Sequence, residues 1–233
     1  MAERVLDVWR IGRIDYDDAL ELQRALVAAR TAGAIEDTLL LLEHPPTITL
    51  GRGAKEEHLL LDRDALEAQG VHVRDIGRGG DVTYHGPGQL VGYPIIDLKP
   101  DRRDVRKYVA SLEETMIRVA ADHGVVAERL EGFNGTWIEP HGFRPRKIGA
   151  VGVRISRWVT MHGFAFNIDP NMGHFGLIVP CGIQGKGVAS LAGELDASPE
   201  WRAVETAAGE HFAEIQESQI RWHDGRPEVP VVS

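Results

Sequence analysis

The chain's single cysteine, Cys181, stands in VPCGIQGKGVASL, framed by Pro180, Gly182, Gly185 and Gly187. Free cysteine is most often a small buried hydrophobe, so packing is one reading. The local sequence supports the other, a nucleophile, because the neighbours lack bulk and Gly182 leaves a backbone N–H open to a substrate. With no second cysteine, an internal disulfide, a C-x-x-C redox pair and a zinc site built on that motif are all excluded. Lys147, in RPRKIGAVGVRIS, lies at the mouth of a predicted strand beside Arg144 and Arg146, whose like charge favours loss of its proton. A lysine depressed toward neutrality serves as a general base, and a charged one stabilises a thiolate. A Cys–Lys pair is sufficient for acyl transfer, and the alternative for Lys147 is a solvated strand end.

A second glycine-rich segment, RGGDVTYHGPGQ at residues 78–89, surrounds Arg78, Asp81, Thr83, Tyr84 and His85 with four glycines and a proline. It either converges polar tips on a ligand or makes a tight hairpin carrying a surface histidine. The stretch WVTMHGFAFNID alternates like a half-buried strand and adds His162, Gly163 and Asn167. His162 reads as a satisfied core histidine in preference to an active-site group. No P-loop, no G-x-G-x-x-G and no G-x-S-x-G elbow is present. The ten histidines show no metal-ligand spacing, so neither a metal nor a cofactor is expected.

These segments need a scaffold, and alternating short β-type runs with amphipathic helices point to an α/β (α+β mixed) fold with a mixed sheet flanked by helices. Asp15 is placed to cap a helix over 15–31 with Leu22, Ala25, Leu26 and Ala29 on its inner face. Strands follow at 37–43, 47–51, 71–76 and 89–98, the last carrying Pro94, which assigns it to an edge or a bulge. Asp104 opens the strongest helix, with Val105, Tyr108, Leu112, Met116, Val119 and Ala120 in one stripe and Gly124 beyond its end. Strands return at 125–130, 136–138, 147–156 and 158–168. A last helix opens at Ser198-Pro199 and carries Trp201, Val204, Ala208, Phe212 and Ile215 inward. One domain over 1–220 and a loose tail over 221–233 are expected.

At 233 residues and 43% hydrophobic content the chain can bury a full core. No signal-peptide run and no apolar stretch of membrane-spanning length is visible, and one unpaired thiol suits the cytoplasm. The net charge of −9 argues against nucleic acid, yet residues 140–193 carry six Lys/Arg against Asp169 alone. That window is +5 and the remainder −14, so an anionic partner docking near Cys181 competes with a merely solvated basic face.

Together RGGDVTYHGPGQLVGYPIIDL, KIGAVGV, HGFAFNI and PCGIQGKGVASL resemble the lipoyl(octanoyl) transferases, in the same order and over about residues 5–217. The resemblance implies a fold related to biotin and lipoate protein ligases. It also implies that Cys181 forms an acyl-thioester and that Lys147 lowers its pKa. Arg78, Gly79, Gly80, Asp81, Val82, Thr83, Tyr84 and His85 would line the acyl site, with Ala150, Val151, Gly152, Gly163, Phe164 and Ala165 as further substrate contacts. His162 is a supporting group, and a backbone N–H near Gly182 would hold the oxyanion. The implied donor is octanoyl-acyl carrier protein. The implied acceptors are lysines of lipoyl domains, on 2-oxoacid dehydrogenase subunits and the glycine cleavage H protein. Three alternatives stay open: an ATP-dependent lipoate or biotin ligase, an amidotransferase taking octanoyl from the H protein, and a non-catalytic acyl- or carrier-binding module.

Overall fold

The computed structural model describes residues 4–179 and 185–231. In chain order the elements begin with β1 (Arg4–Arg13), α1 (Tyr16–Thr31), β2 (Asp37–Glu43), β3 (Thr47–Leu50), α2 (Arg63–Ala68), β4 (His72–Asp75), β5 (Val82–His85) and β6 (Gln89–Ile95). They continue with α3 (Val105–Asp122), β7 (Glu128–Leu130), β8 (Phe133–Ile138), β9 (Arg146–Ser156), β10 (Val159–Asn167), β11 (Gly187–Val188), α4 (Leu191–Leu195), α5 (Trp201–Ile215) and β12 (Ser218–Asp224).

The main sheet runs β12-β1-β2-β6-β10-β9-β8-β7, with β11 added against the start of β9. The pairs β12/β1, β1/β2 and β11/β9 are parallel and the rest antiparallel. Strand β2 lies near its middle, and the run Leu39–Leu42 is buried on both faces, as an uninterrupted apolar strand must be. Leu39 and Leu41 point to the layer made by α3 and α5, while Leu40 and Leu42 point to α1. A second sheet, β4-β3-β5, has its own core of Ile48, Leu66, Val73, Val82 and Tyr84. It provides the opposing wall to the α1 face of β9 and β10, and the candidate site lies between them. No helix among the described residues is long and apolar enough to cross a membrane.

Several expectations are corrected. Strand β6 is central, between β2 and β10, rather than at an edge. Pro94 is tolerated there because the β10 ladder ends at the Phe164/Gly92 pair. Beyond it the Thr160 hydroxyl donates to Pro94 O and accepts from Ile96 N, replacing lost ladder bonds. Asp15 holds the N-cap position of α1 without a side-chain cap bond, and Ala25 is exposed where Gln23 is buried. In α3 the Asp104 carboxylate does accept from Arg106 N and Lys107 N, but Val105 is exposed. Glu200, not Ser198, caps α5, accepting from Arg202 N and Ala203 N. The expected tail begins later than 221, since β12 extends to Asp224 with Ile220 and Trp222 packed on the core. Pro227 is buried and Val229 lies against the α1 side.

Candidate active site

Lys147 occupies the second position of β9, opposite Trp137, with its Nζ 4.6 Å from the indole centroid. The β8/β9 register slips between Thr136/Gly149 and Trp137/Lys147, a bulge at Ile148. Ile148 is fully buried in the α3/α5 core, and a Cβ on Gly149 would lie 2.5 Å from Met116 Sδ, on the same face. Two successive residues thus face the helices, so the alternation resets and Lys147, Ala150 and Gly152 share the cavity side. Arg146 pairs with Glu194 and Glu139, which cancels part of the repulsion expected between Lys147 and its arginine neighbours. The backbone of Lys147 also pairs with Val188 in β11 and accepts from Ala189 N.

The cavity is open to solvent and, counting the solvent space at its opening, spans about 1040 Å³. Its lining includes Trp137, Lys147, Phe175, Ile178, Lys186, Gly187 and Val188 and, from β9 and β10, Gly149, Ala150, Val151, Gly152, Gly163, Phe164 and Ala165. Glycines stand where neighbouring groups come close. A Cβ on Gly163 would sit 2.2 Å from Gly92 O, and one on Gly152 3.1 Å from Arg78 Cδ. From the glycine-rich segment Arg78, Gly80, Asp81, Val82, Thr83 and His85 line the cavity, while Gly79 and Tyr84 are not part of the lining. Gly79 N donates to Val153 O, tying the segment to β9. Tyr84 is buried in the small sheet's core, its hydroxyl 2.8 Å from His174 Nδ1, and burial pushes it up to about 12. Asp81 is held in its turn by His58 Nδ1 and Val82 N, both at 2.7 Å.

Arg78 is buried, and its Nη2 donates to both Thr49 O and Thr49 Oγ1 at 2.9 Å. Around it the polar end of the cavity is wired by directional hydrogen bonds. Gln89 Nε2 donates to Tyr84 O and Asn167 Oδ1, so its Oε1 accepts from His85 Nδ1 at 2.8 Å. This fixes His85 as the Nδ1–H tautomer. Asn167 Nδ2 in turn donates to Ala189 O, linking His85 to the strand beside Lys147. In the same way His44 Nδ1 donates to Ile14 O, so His44 Nε2 accepts from the Tyr93 hydroxyl at 2.8 Å. The Tyr16 ring packs beside His44, centroids 5.0 Å apart.

Burial, the largest cause, drives the pKa of His44 down to about 4 and that of His85 down to about 3, with mutual repulsion adding at His85. His162 is pushed down to about 4 by burial and then by Arg78, Arg154 and Arg24. Its backbone has positive φ, its N–H donates to Gln23 Oε1, and among the described residues its Nδ1 has no partner. His162 lines the cavity, so the expectation of a satisfied core histidine is replaced by that of a buried neutral ring facing the site. Tyr16 and Tyr93 are raised well above the ordinary tyrosine range by burial.

Cys181 and Gly182 lie outside the described residues. The described residues on both sides of 180–184 reach the cavity: Ile178, bridged to Leu59, from one side, and Lys186 with Gly187 and Val188, the latter two paired to β9, from the other. Sequence reasoning did not find Tyr16, His44, Gln89, Tyr93 or Trp137 as site residues. Tyr16, His44 and Trp137 lie outside the quoted motifs, whereas Gln89 and Tyr93 stand together on β6 inside one of them. No cluster of three metal-ligating side chains exists among the described residues.

The lipoyl protein ligase A/B catalytic domain matches residues 15–213. An octanoyltransferase of Myxococcus xanthus is 46% identical over 215 residues, covering 92% of this chain and 60% of that protein. One from Chloroflexus aggregans is 51% identical over 202 residues, covering 86% and 90% respectively. Among solved structures, a bipartite lipoate protein ligase from Thermoplasma acidophilum superposes with a TM-score of 0.73 at 15% identity, covering 95% of this chain and 88% of that one. A biotin protein ligase of Aquifex aeolicus gives 0.50 at 11% identity, covering 93% and 70%. At those identities the structures speak to the fold.

Proposed function

The chain belongs to the octanoyltransferases of the lipoyl protein ligase A/B catalytic family, and from that premise we propose that it moves an octanoyl group from acyl carrier protein to a lysine of a lipoyl domain through a thioester on Cys181. One observation carries the reading. Lys147 enters a largely apolar cavity to which both flanks of the cysteine segment also contribute.

The Cys181 thiolate attacks the octanoyl thioester carbonyl, the oxyanion is held by a backbone N–H near Gly182, and the carrier thiolate departs. The acceptor lysine then attacks the acyl-enzyme, Lys147 takes a proton from its ammonium or amine, and an amide forms as the cysteine thiolate leaves. Thioester to amide runs downhill without ATP. Ala150, Gly152, Gly163 and Ala165 leave room for the acyl chain, and Arg78, His85 and His162 form the polar boundary of its site. Because burial makes His85 and His162 hard to protonate, they are poor bases, and Lys147 is the base we assign at working pH. The donor is expected to leave before the acceptor binds, in a cytosolic setting that keeps the thiol reduced.

The test is transfer to an apo lipoyl domain from octanoyl-acyl carrier protein with ATP absent, for the parent, Cys181→Ser and Lys147→Ala. Parallel-line, ping-pong kinetics for the parent and loss in both variants support the assignment. Transfer that proceeds only from free octanoate plus ATP refutes it in favour of a ligase.

A further inference from the structure

The hairpin joining β8 to β9 carries Phe143 fully exposed, at 105% of its reference area, in a turn that ends only four residues before Lys147. Four residues span at most about 14 Å, which bounds how far the Phe143 backbone lies from that of Lys147. A lone exposed phenylalanine is ordinarily unremarkable, but its neighbour Arg144 brings Nε to 3.8 Å from where a Cβ on the cavity-lining Gly187 would lie. Phe133, at the start of β8, is also exposed, with Lys186 Nζ 4.6 Å above its ring, and Lys186 itself lines the cavity. Nearby carboxylates are already matched, since Glu139 and Glu194 both pair with Arg146. Arg144 and Lys186 have no carboxylate partner among the described residues, which leaves positive charge beside two exposed aromatic rings.

Resting on the function proposed above, we infer that this hairpin, through Phe143 and Arg144, is the docking element for the lysine-bearing acceptor domain. Reach selects that partner over the donor. A lysine has only a four-carbon stem, so to bring its amine to a thioester inside the cavity the acceptor must press its own surface against the rim. A carrier delivers its acyl group on a long prosthetic arm and can hold its surface back. Charge selects the chemistry of the face: acidic around the lysine, with an apolar contact for the Phe143 ring.

The experiment titrates an apo lipoyl domain onto the parent, Phe143→Ser and Arg144→Glu, and separately times acylation of each by octanoyl-acyl carrier protein. Both side chains are exposed, so folding is expected to be unaffected. Acceptor Kd is expected to rise about tenfold in each variant, as truncating an interface anchor does, while the acylation rate stays within twofold. Unchanged acceptor affinity overturns the inference. So does an equal or greater loss in the acylation step, which makes the hairpin a donor contact, or a parent dimer that Phe143→Ser disperses, which makes it a self-contact. A parent that binds the domain through Phe143 but is never acylated contradicts the proposed mechanism and leaves the docking element intact.

Discussion

Lowering pH from 7 to 5 should destabilise the fold through three buried histidines. His44, His85 and His162 are all under a tenth exposed, and their folded pKa values lie at about 4, 3 and 4. Unfolded, each titrates near 6.5. Below that value the unfolded chain binds protons that the native state refuses, so stability falls as pH drops from about 6.5 toward 4. At pH 5 each ring costs about 2 kcal/mol relative to neutral pH, and the trio about 6 kcal/mol, at 1.36 kcal/mol per pH unit. That is comparable with the whole stability of a typical domain. Carboxylates held down by ion pairs, such as Asp75 and Asp101, lose their contribution as pH falls through the ordinary carboxylate range and below, and the buried Glu205, raised by burial, works in the opposite direction, so the loss between 6.5 and 5 is dominated by the histidines. Urea midpoints at pH 7, 6 and 5 measure it, and His162→Asn should remove about a third of the slope. A parent whose unfolding free energy changes by less than about 1 kcal/mol across that range would refute the buried, neutral assignment.

Gln89→Met keeps the shape but strands the His85 Nδ1–H and Asn167 Oδ1. At about 1–3 kcal/mol for each orphaned group, the melting temperature should drop by at least about 4 °C in calorimetry. Gly163→Ala forces a Cβ to within 2.2 Å of Gly92 O, a backbone atom that cannot swing away, and should cost more stability than Gly152→Ala, whose nearest neighbour is the Arg78 side chain. Equal denaturation midpoints for the two would contradict that placement. Trp137→Leu removes the ring beside the Lys147 ammonium and should slow acyl transfer while leaving the melting temperature of the small sheet's core unaffected in hydrogen exchange.

The parts of the site that were legible in sequence are those confined to one strand. The KIGAVG and HGFA stretches are named as substrate contacts through the family resemblance alone, and Gly149 to Gly152 and Gly163 to Ala165 do line the cavity. The bulge at Ile148, which determines which residues share a face with Lys147, leaves no local signature because it depends on the β8 partner. The Tyr16, His44 and Tyr93 network was hidden for a related reason: three elements distant in sequence meet only in the folded sheet. His44-Pro45-Pro46 does interrupt the chain between β2 and β3, but its histidine is read correctly only once Ile14 and Tyr93 are beside it. The end of β12, Arg221 to Asp224, reads as a tail in sequence because its polar and apolar residues alternate at a sheet edge, where one side of the ladder is open to water. Pro94 misled because the rule confining proline to edges assumes a full ladder on both sides, and here β10 withdraws.

The most direct test of the account is intact mass measurement after mixing the chain with octanoyl-acyl carrier protein alone, followed by peptide mapping. The expected result is a gain of one octanoyl group, located on Cys181, absent from Cys181→Ser, and discharged by an apo lipoyl domain. An unmodified chain that nonetheless transfers octanoyl, or an adduct mapped to any other residue, would contradict the claim that Cys181 carries the acyl group.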